Sequence, residues 1–242
     1  LIYSSAITQG AIYVIRPMIT YRALELDASA STIGYIAAVY ALFPVLLALT
    51  FGKMVGQIGE GRFVIFGTFF IGVSAALLLA ANSLFLLAVA AALSGLAHLA
   101  CMVGGQTMVA LKSPPDKYEE HFGRYTFSAS LGQMVGPILA TLVAGSTGVM
   151  PKSTSAAFAL ALALAAIAMV PVMSWRNEPP TVRGRKEEAG AVRAAGALLK
   201  KPGMFAAIFT SLAVSSTGDI LVVFQYQIFR DLQLATRSVG PG

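Results

Sequence analysis

The stretch LFLLAVAAALSGLAHLACMVGGQTMVAL, residues 84–111, contains no aspartate, glutamate, lysine or arginine. A helix needs about 20 predominantly apolar residues to cross the roughly 30 Å of hydrocarbon in a bilayer, and this stretch exceeds that length. Its glycine, alanine and serine residues are of the small kind that lets helices approach closely in lipid. The stretch therefore predicts a membrane-spanning helix that packs against other helices.

The rest of the chain has the same character. Of its 242 residues, 57% are hydrophobic and only 12% are charged, with a mean hydropathy of +0.75, whereas a soluble domain has about 25% charged residues. Apolar stretches predict helices at residues 1–20, 32–51, 63–81, 84–111, 125–146, 154–174 and 202–229. We expect an all-α, polytopic membrane protein.

Basic residues are distributed unequally between the loops. One set of alternate loops carries Lys53, Arg62, Lys112, Lys117, Arg124, Arg176, Arg183, Arg185, Lys186, Arg193, Lys200 and Lys201. The opposite set carries Arg22, Lys152, Arg230 and Arg237. The positive-inside rule places the first set, and the start of the first helix, on the cytoplasmic side of the membrane. We expect this membrane to be the plasma or inner membrane. The net charge of +6 does not indicate nucleic acid, because no basic domain with interleaved aromatics is formed.

The sequence offers little for cofactor or catalytic chemistry. Cys101 is the only cysteine, which excludes an intrachain disulfide and gives no metal-ligand cluster. We expect neither a cofactor nor a metal site, and a buried packing role for this thiol. An intramembrane enzyme is the alternative to a transporter. Ser94 and His98, four residues apart on one helix, would be its nucleophile and base, but no third orienting group supports them.

The two ends of the chain contain related phrases, YRALEL at residues 21–26 and FRDLQL at residues 229–234. The alignment continues without gaps through Gly10 and Gly218. The seventh helix therefore reads as a parallel copy of the first, a relation found in transporters with repeated six-helix units. Chance similarity of two apolar helices is the alternative. We expect a six-helix bundle at residues 1–174, a cytoplasmic linker at 175–201 and the start of a second bundle at 202–242.

The segment GKMVGQIGEGR, residues 52–62, resembles the loop between the second and third helices of the major facilitator superfamily. Gly52 and Gly59 match the glycines of the family motif. Gly56 replaces its acidic residue, Glu60 and Gly61 stand at its basic pair, and Arg62 is the candidate for the displaced basic charge. The resemblance implies two six-helix bundles joined by a cytoplasmic linker, of which residues 1–242 would hold the first bundle and the seventh helix.

A second motif, GQMVGPILA at residues 132–140, is similar to the pattern of the antiporter branch of that family. Gly132, Gly136 and Pro137 match, whereas Ala140 and Thr141 replace the last two glycines. The resemblance implies an antiporter, and a packing notch between helices is the alternative. The fourth helix lacks the arginine that many antiporter-like members carry.

Ionisable groups within membrane helices are costly, so each is a functional candidate. Asp219 lies about 16 Å from the end of the seventh helix at Arg230, near the bilayer midplane. A structural aspartate bonded to neighbouring helices is its alternative role. Gln9, Tyr13, Arg16 and Thr20 recur at helical spacing and form a polar stripe on the first helix. Arg16 is also close enough to the helix end for its side chain to extend outward to water. His98 has a hydrogen-bonded core histidine as its alternative role.

The repeat aligns Arg16 with Phe224, which is five residues after Asp219. The charges of Arg16 and Asp219 therefore occupy different faces of equivalent helices, and we expect separate roles for them. These residues predict a secondary active transporter that moves a small solute by alternating access. We expect protons as the coupling ion, with Asp219 taking part in coupling. The resemblance implies an antiporter-like permease that is monomeric when full length, with the solute, protons and the lipid bilayer as its partners.

Overall fold

The computed structural model of the chain describes residues 1–145, 153–177, 203–206 and 209–210. Residues 1–177 belong to one unit, Leu1–Thr181. Its helices are α1 (Ile2–Glu25), α2 (Ala30–Ile58), α3 (Glu60–Leu79), α4 (Leu84–Lys112), α5 (Tyr118–Ala144) and α6 (Thr154–Val172), with short 3-10 helices at Pro115–Lys117 and Met173–Asn177. The all-α prediction is confirmed, and the first six predicted helices are each present.

Helices α2 to α6 have the length and apolar character of membrane spans. Among the described helices of this unit, α1 falls short of that character because its polar stripe interrupts the apolar run. Most of the seventh predicted helix, including Asp219, and most of the linker lie outside the described residues. The predicted domain boundaries therefore stay predictions.

Serine residues begin three of the helices at one end of the bundle. Ser29, Ser83 and Ser153 accept hydrogen bonds from main-chain N–H groups three residues later, at 3.2, 3.3 and 3.1 Å. Such N-caps satisfy donors that a helix leaves unpaired at its start. The other end, which we call the basic end, carries Lys53, Arg62, Lys112, Lys117 and Arg124.

Three helices extend beyond the predicted apolar stretches. α1 continues to Glu25, α2 continues to Ile58 and α5 begins at Tyr118, about two turns before the predicted start at Tyr125. Charged or polar side chains occupy these added turns. Hydropathy locates the part of a helix inside the hydrocarbon, whereas the backbone hydrogen bonds continue into the polar region on either side.

Helix α1 is enclosed by the bundle. It packs chiefly against α5 and α6, while α3 packs against α4 and α6, and α2 packs against α4. Ala11, Ile12, Val14 and Ile15 of α1 are completely buried. Within the polar stripe, Gln9 is buried, whereas Tyr13, Arg16 and Thr20 are half-buried.

Candidate functional site

The polar stripe of α1 faces α4. Gln9 donates from Nε2 to the sulfur of Met102 at 3.0 Å. One turn along α1, the Tyr13 ring meets the His98 ring edge-on, with 6.4 Å between centroids. The structure therefore brings together three residues that the sequence singled out separately, Gln9, Tyr13 and His98.

Arg16 lies between aromatic rings from two helices. Its guanidinium carbon is 5.3 Å from the ring centroid of Tyr13 and 5.2 Å from that of Tyr40. Nη1 of Arg16 donates to the hydroxyl oxygen of Tyr13, with 3.4 Å between the two atoms. A cation over the face of an aromatic ring is attracted by the ring quadrupole, more strongly where water is excluded. These contacts hold the half-buried guanidinium against α2.

Tyr40 of α2 contacts this group of residues and was not singled out from the sequence. Besides its contact with Arg16, its hydroxyl lies 3.1 Å from Nδ1 of His98. Tyr40 therefore connects the charge on α1 with the imidazole on α4. A tyrosine inside an apolar helix is itself a signal, because its hydroxyl needs a partner when it is buried.

Three buried polar atoms near this group have no hydrogen-bond partner within the described part of the chain. They are Oε1 of Gln9, Oγ of Ser94 and Nε2 of His98. Ser94 and His98 consequently do not bond each other, so the nucleophile and base of the enzyme alternative are not paired in this arrangement. An unpaired polar atom inside a protein costs about 1–3 kcal/mol, so each of these atoms favours a polar ligand or water beside it.

The glycines of GQMVGPILA form the contact between α5 and α1. A Cβ added to Gly136 would lie 2.8 Å from the carbonyl oxygen of Gly10 and 2.9 Å from Cβ of Tyr13. One added to Gly132 would lie 2.8 Å from the main-chain nitrogen of Gly10. Only glycine permits this close approach of α5 to α1. The contact fixes the position of Tyr13 along the bundle axis.

Ala140 and Thr141, which replace the last two glycines of that motif, differ in burial, since Ala140 is buried and Thr141 is exposed. Ala140 is fully buried. Thr141 donates from Oγ1 to the carbonyl of Pro137 at 2.9 Å, a local bond to the preceding turn that helices with an internal proline use. The geometry thus fits the packing-notch interpretation of the motif.

The segment of residues 52–62 joins helix ends at the basic end. Gly59 separates α2 from α3 with φ of 97°, a backbone conformation that favours glycine. Glu60 is buried and lies 3.8 Å from Nζ of Lys112 at the end of α4. Gly52, by contrast, is exposed, and a Cβ added there meets nothing within 4 Å in the described residues.

Arg62 connects α3 with the short helix that follows α6. It donates from Nε to the carbonyl oxygen of Arg176 at 3.2 Å. One residue earlier, a Cβ on Gly61 would lie 2.8 Å from Cβ of Trp175. The acid and base in this segment therefore both bond to other parts of the same bundle.

Arg22 and Glu25 of the repeated phrase YRALEL tie α1 to α6 at the opposite end. Nη1 of Arg22 lies 2.8 Å from Oε2 of Glu25, and Thr154 donates to the same oxygen at 2.7 Å. The ion pair lies at the bundle surface, outside the polar stripe. In the second phrase the residue equivalent to Glu25 is Gln233.

Comparison with protein families gives one decisive result. The family model described as Major Facilitator Superfamily matches residues 1–240. The chain belongs to this superfamily. A search of curated proteins finds no match to the chain. The resemblance to the superfamily is confirmed, and the chain is that of a multi-pass protein of a membrane transporter family.

The superfamily loop motif has an altered charge pattern in this chain. Its usual acidic position is Gly56, which is exposed on α2, while the carboxylate is supplied four residues later by Glu60 inside the bundle. The superfamily chain also has a buried free thiol at Cys101, 3.8 Å from Oγ1 of Thr68. Within the described residues, no group of three or more metal-binding side chains occurs.

Proposed function

We propose that this superfamily member is a secondary active transporter that moves a small solute by alternating access. Gln9, Tyr13, Arg16 and His98 form its solute and coupling site, with Tyr40 as a further member. The observation that carries the proposal is that α1, α2 and α4 bring these side chains together within the bundle. Polar and ionisable groups at such positions in membrane helices mark transport pathways.

Proton coupling is the second part of the proposal. The imidazole of His98 has Nδ1 beside the Tyr40 hydroxyl and Nε2 without a partner among the described residues. Histidine side chains inside membrane helices are found in proton relays of pumps and transporters. Asp219, which lies outside the described residues, is the other proposed coupling group. The Gly136–Pro137 element supports an antiporter-like permease through the resemblance alone.

The proposed setting follows from the distribution of basic residues. The basic end faces the cytoplasm, and the protein resides in the plasma or inner membrane with the start of α1 inside. The solute, protons and the bilayer are its partners, and the full-length protein acts as a monomer without a cofactor. The predicted linker joins this bundle to a second one.

Transport by the full-length protein in vesicles tests the coupling proposal. Asp219→Asn keeps size and hydrogen-bonding capacity but removes titration, so it should abolish accumulation driven by a pH gradient while exchange without a gradient persists. Asp219→Glu is the matched control and should retain part of the accumulation. An Asn variant that accumulates solute with unchanged pH dependence would transfer the coupling role to His98, where His98→Gln is the corresponding test.

A further inference from the structure

A small cavity lies beside the polar stripe, between α1, α4 and α5. Its volume is about 20 Å³, and a cavity holds one water molecule from about 10–15 Å³ upward. Its lining includes Ser5, Thr8, Gln9, Cys101, Gly105 and Tyr125. The cavity is thus large enough for one water and for little else.

The lining is polar where α1 contributes to it. Gln9 is only 2% exposed, its Nε2 bonds Met102, and its Oε1 has no partner among the described residues. The hydroxyl-bearing side chains of Ser5 and Thr8 border the same space. A buried water typically makes two to four hydrogen bonds to groups of this kind, whereas apolar cavities of similar size stay empty.

A larger pocket adjoins the small cavity at Tyr125. Tyr125 also lines a second pocket of about 380 Å³ at the basic end, together with Lys112, His121 and Arg124. The larger pocket and the small cavity therefore adjoin the same tyrosine.

We propose that the small cavity is a binding site for one ordered water molecule. The water donates a hydrogen bond to Oε1 of Gln9 and bonds the hydroxyl groups of α1. It thereby satisfies the buried amide and holds Nε2 of Gln9 toward Met102. This water site shares Gln9 with the proposed transport site, but it is inferred from burial and unmet hydrogen bonding alone.

A structure of the full chain at a resolution that shows ordered water tests the proposal. We expect a density peak about 3 Å from the amide oxygen of Gln9, and its loss in Gln9→Met, which keeps the side-chain length without the polar atoms. Gln106→Met is the matched control, since Gln106 is exposed on α4, and it should leave the peak unchanged. A wild-type cavity that is empty or filled by a side chain would overturn the proposal.

A more conservative pair of variants, at Thr8, tests the proposal even where Gln9→Met does not fold. Thr8→Val keeps the shape of the buried side chain but removes its hydroxyl, whereas Thr8→Ser keeps the hydroxyl. The water peak should weaken in the valine variant and persist in the serine variant. A peak that remains at full strength in both Thr8→Val and Gln9→Met would contradict the assigned hydrogen bonds.

Discussion

Helices α1 and α2 are neighbours in sequence but opposite in polarity and burial. Half of the 24 residues of α1 are buried, among them Gln9, Thr8 and two serines. Of the 29 residues of α2, only Ile36, Phe51 and Val55 are buried within the described unit. The less apolar helix is therefore the enclosed one, and the more apolar helix presents most of its surface outward.

This reversal follows from the bilayer as solvent. Lipid accepts apolar side chains as readily as a protein interior does, so hydrophobicity alone does not drive helices together there. Polar groups have no partner in hydrocarbon and must find one inside the bundle. Close packing of small residues and polar contacts then decides which helix is central, and α1 has both.

Truncation of an apolar side chain gives the largest expected difference between the two helices. Ile15 of α1 is fully buried, whereas Leu49 of α2 is 69% exposed. Ile15→Ala should lower the stability by about 2 kcal/mol, the lower end of the range for soluble cores, because lipid also surrounds the side chain in the unfolded state.

The measurement is thermal unfolding of purified variants in one detergent. Leu49→Ala should change stability by less than about 0.5 kcal/mol, as exposed positions usually do. Equal losses of stability in both variants would mean that α2 has a buried face not present in the described unit. That result would contradict the difference in burial between α1 and α2.

The glycine contact between α5 and α1 gives the next effect. Gly136→Ala should destabilise the bundle by about 1–3 kcal/mol, because the methyl group meets the backbone of α1. Gly123 is a matched control on the same helix, where an added Cβ meets nothing within 4 Å. Gly123→Ala should instead stabilise by up to about 1 kcal/mol through helix propensity. The same melting experiment reads both, and a shared sign would refute the packing role of Gly136.

The Tyr40 hydroxyl gives the smallest effect on stability and a selective effect on transport. Tyr40→Phe keeps the ring beside Arg16 but removes the bond to His98, which corresponds to about 0.5–1.5 kcal/mol. We expect a transport rate reduced about threefold to tenfold, since 1.4 kcal/mol is a factor of ten.

Tyr35→Phe is the control for that change, because Tyr35 lies on the same helix and is 72% exposed. It should transport as wild type does in the same vesicles. An unaltered rate in Tyr40→Phe would restrict the site to α1 and α4.

The sequence was sufficient to predict features that recur along a single helix. Apolar runs located the six described helices, and the spacing of Gln9, Tyr13 and Arg16 predicted their common face, because both depend on local geometry. It was insufficient where helices meet. The Tyr40–His98 bond joins α2 to α4, and nothing in the periodicity of either helix specifies the partner across the gap.

The loop motif shows the same division. Its glycines were recognisable in sequence, and Gly59 has the backbone conformation that requires glycine. The partners of its charged side chains could not be recognised in sequence. Lys112 approaches Glu60 from the end of α4, and Arg62 donates to the main-chain carbonyl oxygen of Arg176 beyond α6. Long-range charge pairing depends on how six helices pack, which the order of residues in one loop does not state.

Thiol labelling in membranes tests the central claim, that α1 presents its stripe to a wet interior while α2 faces lipid. In a background with Cys101→Ala, the variants Tyr13→Cys and Leu49→Cys would be treated in proteoliposomes with a water-soluble maleimide. Because the reactive thiolate forms only in contact with water, Tyr13→Cys should label and Leu49→Cys should not, although both label after denaturation in detergent. Labelling of Leu49→Cys with protection of Tyr13→Cys would contradict the account.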